Sequence, residues 1–225
     1  MSALLVIMAA VFGGSTAAFL PRVAHRLGVA FGESPRATCA SCGRDLTGWV
    51  RVGASCRCPF PYAMTPLTGA AAGAMLAVSL GPSPLLPFFL LAAVPGLLLA
   101  LIDMRCLRLP DRLVAAVGLL TVVPLAVQWP PRIGPALVAG GVVLTTYGMI
   151  ALLPGRGLGL GDVKLAAVLA TVLGFAGWPA VIVGLVVPHL INGTIALTLL
   201  LARRGRPLPF GPALLFGALV ALTTA

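Results

Sequence analysis

Acidic side chains are nearly missing from this chain: there are five in 225 residues, against fifteen lysines and arginines. Charged residues of both signs make up only 9% of it, too few for the surface of an ordinary water-soluble domain. No folded soluble face exists on which the net charge of +10 could gather, which excludes a nucleic-acid-binding protein. No basic segment precedes the first apolar run. Arg22 and Arg26 follow it instead, which argues against a cleaved secretory leader and for a retained helix. Soluble repeats and an acidic tail are lacking as well.

What is present is hydrophobic. Apolar residues make up 60% of the chain, and the mean hydropathy is +1.09. Uncharged stretches occupy 2–21, 58–102, 113–131, 133–155, 165–202 and 207–225. About 20 apolar residues in a helix cross a hydrocarbon core of roughly 30 Å. The runs 58–102 and 165–202 exceed one crossing and break at Gly81-Pro82-Ser83-Pro84 and Gly177-Trp178-Pro179. The pattern predicts an all-α polytopic membrane protein of about eight helices, near 3–20, 65–81, 85–103, 113–128, 133–153, 163–176, 179–202 and 208–225. The sixth is short and rich in glycine. Three regions result: a first helix (1–20), a cytosolic loop (21–65) and a membrane core (66–225). Placing the N-terminus outside puts 14 of the 15 basic residues on the cytosolic side and only Arg132 outside, as the positive-inside rule requires. Topology therefore accounts for the basic charge.

The loop Pro21–Thr65 is too small to bury a conventional core unaided. It carries Cys39, Cys42, Cys56 and Cys58. Cytosolic thiols stay reduced, so two close pairs favour a tetrahedral structural zinc over disulfides, with unliganded thiols as the alternative. Cys106 stands alone beside Asp103 and reads as a packed interfacial residue.

Two of the scarce acids lie where apolar helices meet the cytosol. Asp103 ends the run Pro87–Ile102, and Asp162 closes Gly159-Leu160-Gly161-Asp162. Carboxylates beside membrane helices are costly and mark functional candidates. Span parity places both on the same side, and their separation of 59 positions in sequence means that only bundle packing can bring them together. Paired carboxyls with separated pKa values are how aspartic proteases activate water: one is ionised and takes the proton, and the other donates to the scissile carbonyl. Gly157, Gly159 and Gly161 leave the second acid bordered by bare backbone, room for an extended peptide. Each acid also has a structural reading. Asp103 could pair with Arg105 or Arg108, Asp162 could cap the following helix, and Asp111 could cap the fourth. Lys164 could hold a lipid head group, bias Asp162 toward ionisation, or anchor the helix. His189 and Asn192, three apart on one helix face, read first as interhelical glue and second as a relay or substrate contact.

The stretch Ala100-Leu-Ile-Asp103-Met-Arg-Cys-Leu-Arg-Leu109-Pro110-Asp111, followed by Gly159-Leu-Gly161-Asp162-Val-Lys164, resembles the bacterial type IV prepilin peptidases, membrane aspartic proteases of the Gly-x-Gly-Asp type. Phe19-Leu20, Arg26-Leu27, the paired cysteines and Pro209-Phe210-Gly211-Pro212 extend the resemblance along nearly the whole chain. The resemblance implies catalytic roles for Asp103 and Asp162. It implies site-shaping or substrate-binding roles for Gly159, Gly161, Lys164, Pro209, Phe210, Gly211 and Pro212. It further implies prepilin or pseudopilin precursors as partners in the cytoplasmic membrane, with the cut just before the apolar pilin helix at the cytosolic face. Cleavage needs no cofactor on this reading. Zinc would brace the cysteine loop, and longer members methylate the new N-terminus with S-adenosylmethionine. Departures from the family pattern at Pro21, Gly28 and Gly69 bear on methylation and leave both aspartates in place. The rival reading is a proton- or cation-coupled transporter using the same two acids, which predicts internal symmetry and mid-membrane ionisable groups.

Overall fold

The computed structural model of the chain describes residues 2–29, 33–39, 42–43, 45–46, 64–153, 158–203 and 207–224. Among them there is no strand, only an isolated bridge between Thr38 and Asp45. Helices α1 (Ala3–Ala17), α2 (Leu20–Leu27), α3 (Thr65–Leu80), α4 (Leu86–Cys106) and α5 (Asp111–Gln128) lead to a single 3-10 turn, Pro130–Arg132. Helices α6 (Ile133–Leu152), α7 (Leu160–Gly174), α8 (Trp178–Leu201) and α9 (Gly211–Thr224) complete the bundle.

Proline and glycine set the boundaries. Proline opens the first turn of α2, α3, α4 and α8, where its missing N–H costs nothing. Gly81 (φ +58°) ends α3 and Gly177 (φ +113°) precedes α8, at the two breaks read from the sequence. The first predicted span ends differently from expectation. Helix α1 stops at Ala17, and the chain resumes as the short α2, which buries Leu20, Pro21 and Ala24 and leaves Arg22 and Arg26 half-buried. The expected loop thus begins as a helix.

Five segments are long and apolar enough to cross a membrane: Ala3–Leu27, Leu86–Cys106, Asp111–Gln128, Pro130–Leu152 and Trp178–Leu201. Helices α3 and α9 are shorter apolar helices, so the count of eight crossings is not established. The all-helical membrane class is. Leu4, Met8, Val11, Leu119, Val127, Leu152 and Leu200 point outward and exposed, which suits lipid and not water.

Short α7 is the buried centre. Leu165, Ala166, Ala170 and Leu173 are all but inaccessible, and α5, α6, α8 and α9 pack around it. A helix sheathed by others needs no continuous lipid-facing stripe, which is why its sequence signal is weak. On the other side, α1 and α3 approach through Gly13, Gly69 and Gly73, where a Cβ would collide with the facing backbone.

Candidate active site

Asp103 lies in the last turn of α4 and is buried. Its position follows from how α4 ends. The N–H of Leu107 donates to the Asp103 carbonyl at 2.9 Å, and Leu107 takes the left-handed conformation (φ +52°), which turns the chain back under the bundle. That turn carries Leu109 inward, buried between two glycines. A Cβ on Gly161 would sit 2.9 Å from the Leu109 Cβ, and one on Gly211 would sit 3.1 Å from its Cδ2. The approach at Gly161 leaves no room for a side chain, and that at Gly211 is tight.

The Asp103 Oδ2 accepts the Gly211 N–H at 2.9 Å, so the carboxyl stands at the first residue of α9. Asp162 approaches from the other side of Leu109. It is the third residue of α7, whose N-cap is Gly159; the expected N-cap role falls to the glycine. The carboxyl of Asp162 reaches back to the Gly159 N–H, as the third residue does in a capping box. Its Oδ1 is buried with no hydrogen-bond partner among the described residues. Asp162 lies in the first turn of α7, outside the five spans, and its carboxyl is pushed up to about 6. Burial is the main cause and the negative charge of Asp103 adds to it, while the Gly159 N–H opposes the shift. The two acids from α4 and α7 therefore share one electrostatic neighbourhood.

Lys164 has a partner that the sequence did not suggest. Its Nζ donates to both Asp111 oxygens, at 2.8 and 2.9 Å, tying the first turn of α7 to the start of α5. Asp111 is the first residue of α5, after the N-cap Pro110, so it is a partner of Lys164 rather than a cap. Basic side chains cluster nearby: Arg105 Nη1 bonds His25 Nδ1 at 2.9 Å, and Arg108 donates to the Val29 carbonyl. Arg132 lies at the opposite end of the bundle and donates to the Phe175 carbonyl at 2.9 Å.

The segment Pro209–Pro212 is drawn into the same neighbourhood. Besides Gly211, Phe210 meets the His189 ring edge-on and Pro209 accepts a bond from Asn192. Pro212 lines an apolar cavity of about 490 Å³ between α3, α4 and α9, which runs from Met64 and Met104 at the Asp103 end to Leu76 and Leu222. The hydroxyls of Thr68 and Thr121 on its wall bond carbonyls of their own helices, so neither asks for a polar ligand. The sequence reading quoted Leu109 within a motif but gave it no role. Its signal is steric, and only packing reveals it.

Of the four cysteines, Cys39 and Cys42 are described; Cys56, Cys58 and Gly157 lie outside the described residues. The Gly43 N–H donates to the Cys39 carbonyl at 2.8 Å, and Gly43 has φ +67°. Among the described residues, no three side chains of metal-ligating type are gathered together.

A family model described as the type IV leader peptidase family matches residues 96–203, which contain both aspartates. Over that stretch the chain is similar to the family. A prepilin leader peptidase/N-methyltransferase of Aeromonas hydrophila is 29% identical over 214 residues, covering 84% of this chain and 71% of that protein. No solved structure matches the chain. Both similarities point to peptidases, and the transporter reading finds no support in these comparisons.

Proposed function

We propose that the chain is an aspartic endopeptidase of the bacterial cytoplasmic membrane. It removes the leader of prepilin or pseudopilin precursors at the cytosolic face, with Asp103 and Asp162 as the water-activating pair. The observation that carries the reading is that buried Asp103 and half-buried Asp162 stand beside the two glycines packed on Leu109, with the charge of Asp103 raising the pKa of Asp162. The family match and the relative's name supply the substrate class.

Two close carboxyls cannot both be charged, so the pair shares a proton. Asp162, held neutral up to about 6, donates from its otherwise unpartnered Oδ1 to the scissile carbonyl oxygen. Asp103, aimed by the Gly211 N–H, takes a proton from a water between the two acids, and the remaining hydroxide adds to the carbonyl carbon. Asp103 then gives that proton to the departing amine nitrogen, and Asp162 takes its own back from a hydroxyl of the gem-diol as the carbonyl re-forms and the C–N bond breaks, restoring the starting pair. The peptide must be extended at the cut, because helical hydrogen bonds shield the carbonyl. The apolar groove beside Met104 and Pro212 suits the apolar segment that follows the leader.

In the loop, Cys39, Cys42, Cys56 and Cys58 would hold a structural zinc, which supplies folding energy to a segment too small for a core. Metal analysis of the purified protein tests this, and a metal-free, folded protein contradicts it.

The function is tested by co-expressing the chain with a prepilin-like precursor in cells lacking other leader peptidases. Mass spectrometry should show a shortened product cut before the apolar segment. A precursor that stays full-length beside correctly inserted enzyme would overturn the reading. The same spectrum reports whether the new N-terminus is also methylated.

A further inference from the structure

Two polar side chains on α8 stand outside this mechanism. Asn192 Nδ2 donates to the Pro209 carbonyl at 3.3 Å. The His189 ring meets Phe210 edge-on, with centroids 5.3 Å apart and planes at 70°. His189 Nδ1 lies 2.7 Å from the Leu185 carbonyl oxygen, so it carries the hydrogen and donates to its own helix. The Tyr147 hydroxyl stands beside the ring, 3.5 Å from Nδ1 and 3.4 Å from Nε2. The Tyr147 ring also stands edge-on to His189, at 5.8 Å and 80°, which fixes the imidazole from the α6 side.

These contacts fall on consecutive residues. Pro209 is held by Asn192, Phe210 by His189, and Gly211 is the residue whose N–H donates to Asp103. Simple glue between α8 and α9 would not need this placement. The two helices already meet closely where a Cβ on Gly217 would lie 2.7 Å from the Gly184 carbonyl oxygen and 2.5 Å from Pro188. The polar pair instead grips residues 207–210, which are not helical and have no ladder of their own to hold them. A single interhelical polar bond in a membrane contributes little to stability, so its placement on this turn is the informative feature.

We propose that His189 and Asn192 are positioning residues for Asp103. Through Pro209 and Phe210 they fix the Gly211 N–H, and that N–H holds the Asp103 carboxyl in its working orientation. The inference rests on the aspartic peptidase reading and adds a third helix, α8, to the site. Neither side chain contacts the cleaved bond in this scheme, so loosening them lowers turnover and leaves substrate affinity alone.

The test compares kcat and KM of the purified full-length enzyme, reconstituted in vesicles, on a prepilin-like precursor. Asn192→Ala and His189→Ala should each lower kcat by on the order of tenfold with KM unchanged, since displacements below 1 Å carry penalties of that size. His189→Phe keeps the ring edge against Phe210 and should recover most of the loss. Thr198→Ala serves as control, because that hydroxyl bonds only the Ile195 carbonyl of its own helix. Hydrogen exchange supplies a readout independent of cleavage: the peptide spanning Gly211 should exchange faster in Asn192→Ala, while that spanning Gly217 stays protected. Should Asn192→Ala fail to insert, Asn192→Asp removes the donor at constant size and carries the same expectation. Unchanged kcat with unchanged exchange at Gly211 overturns the proposal, as does a loss confined to KM. If wild type itself does not cleave, the peptidase reading has failed, and exchange at Gly211 still decides whether α8 holds the turn.

Discussion

Adding one methyl group at Gly161 gives the sharpest test of how the two acids are held together. The Cβ of Gly161→Ala would sit 2.9 Å from the Leu109 Cβ and 3.5 Å from both the N and O of Leu109. Carbon atoms prefer about 3.5–4.0 Å, so the contact must open by roughly 0.6 Å. The obstacle is a Cβ fixed to the backbone, and no rotamer change relieves it. Either the first turn of α7 retreats, taking Asp162 with it, or the Leu109 turn shifts and disturbs Asp103. A 1 Å misplacement costs up to about a hundredfold in rate, so roughly 0.6 Å predicts a loss near tenfold, about 1.4 kcal/mol of barrier. Gly148→Ala is the matched control. It lies within α6, its Cβ would meet nothing within 4 Å, and the change should be neutral or slightly stabilising. The assay is the initial rate of leader removal at equal amounts of inserted enzyme. Wild-type turnover in Gly161→Ala would refute the claim that Leu109 spaces the two acids.

Other expectations follow from the same geometry. Asp162 is pushed up to about 6, so its neutral form dominates below that value and is lost as pH rises through it. Cleavage should therefore show an alkaline limb falling about tenfold per pH unit, and a rate flat across the alkaline range contradicts Asp162 as the proton donor. The Lys164–Asp111 pair is exposed, so Lys164→Met should cost no more than about 1 kcal/mol in thermal melts. The charge-swapped double variant, Asp111→Lys with Lys164→Asp, should recover it; a larger unrecovered loss would assign Lys164 another role. Gly96 faces the apolar groove, where its nearest foreign atom would be Leu215 Cδ2 at 3.5 Å. Gly96→Ala should cleave normally and Gly96→Leu should raise KM for the precursor. Equal kinetics would show that the groove is not used by substrate.

Much of this was legible in the sequence, and the reason is local. The breaks at Gly81 and Gly177 appear as positive φ values, where glycine is tolerated and other residues are not. The helical membrane class follows from apolar length alone, and the site acids from their scarcity. Other features depend on partners distant in sequence. The burial of α7 comes from four surrounding helices, and nothing in its own fifteen residues signals them. The partner of Lys164 lies 53 residues away on α5, and that of Asp103 lies 108 residues away at Gly211. Both pairings depend on how distant helices pack, which the local sequence does not reveal. The α1–α2 break was missed because hydropathy runs through it: Phe19 and Leu20 are as apolar as the residues before them.

The account depends most on two carboxyls acting as one unit. Leader removal by Asp103→Asn and by Asp162→Asn, each inserted at wild-type level, measures this directly. Asparagine keeps the shape of each side chain and removes its capacity to exchange a proton. Both single variants should leave the precursor uncut, and the double variant should be no worse than either. Cleavage near the wild-type rate by either single variant would contradict the shared site.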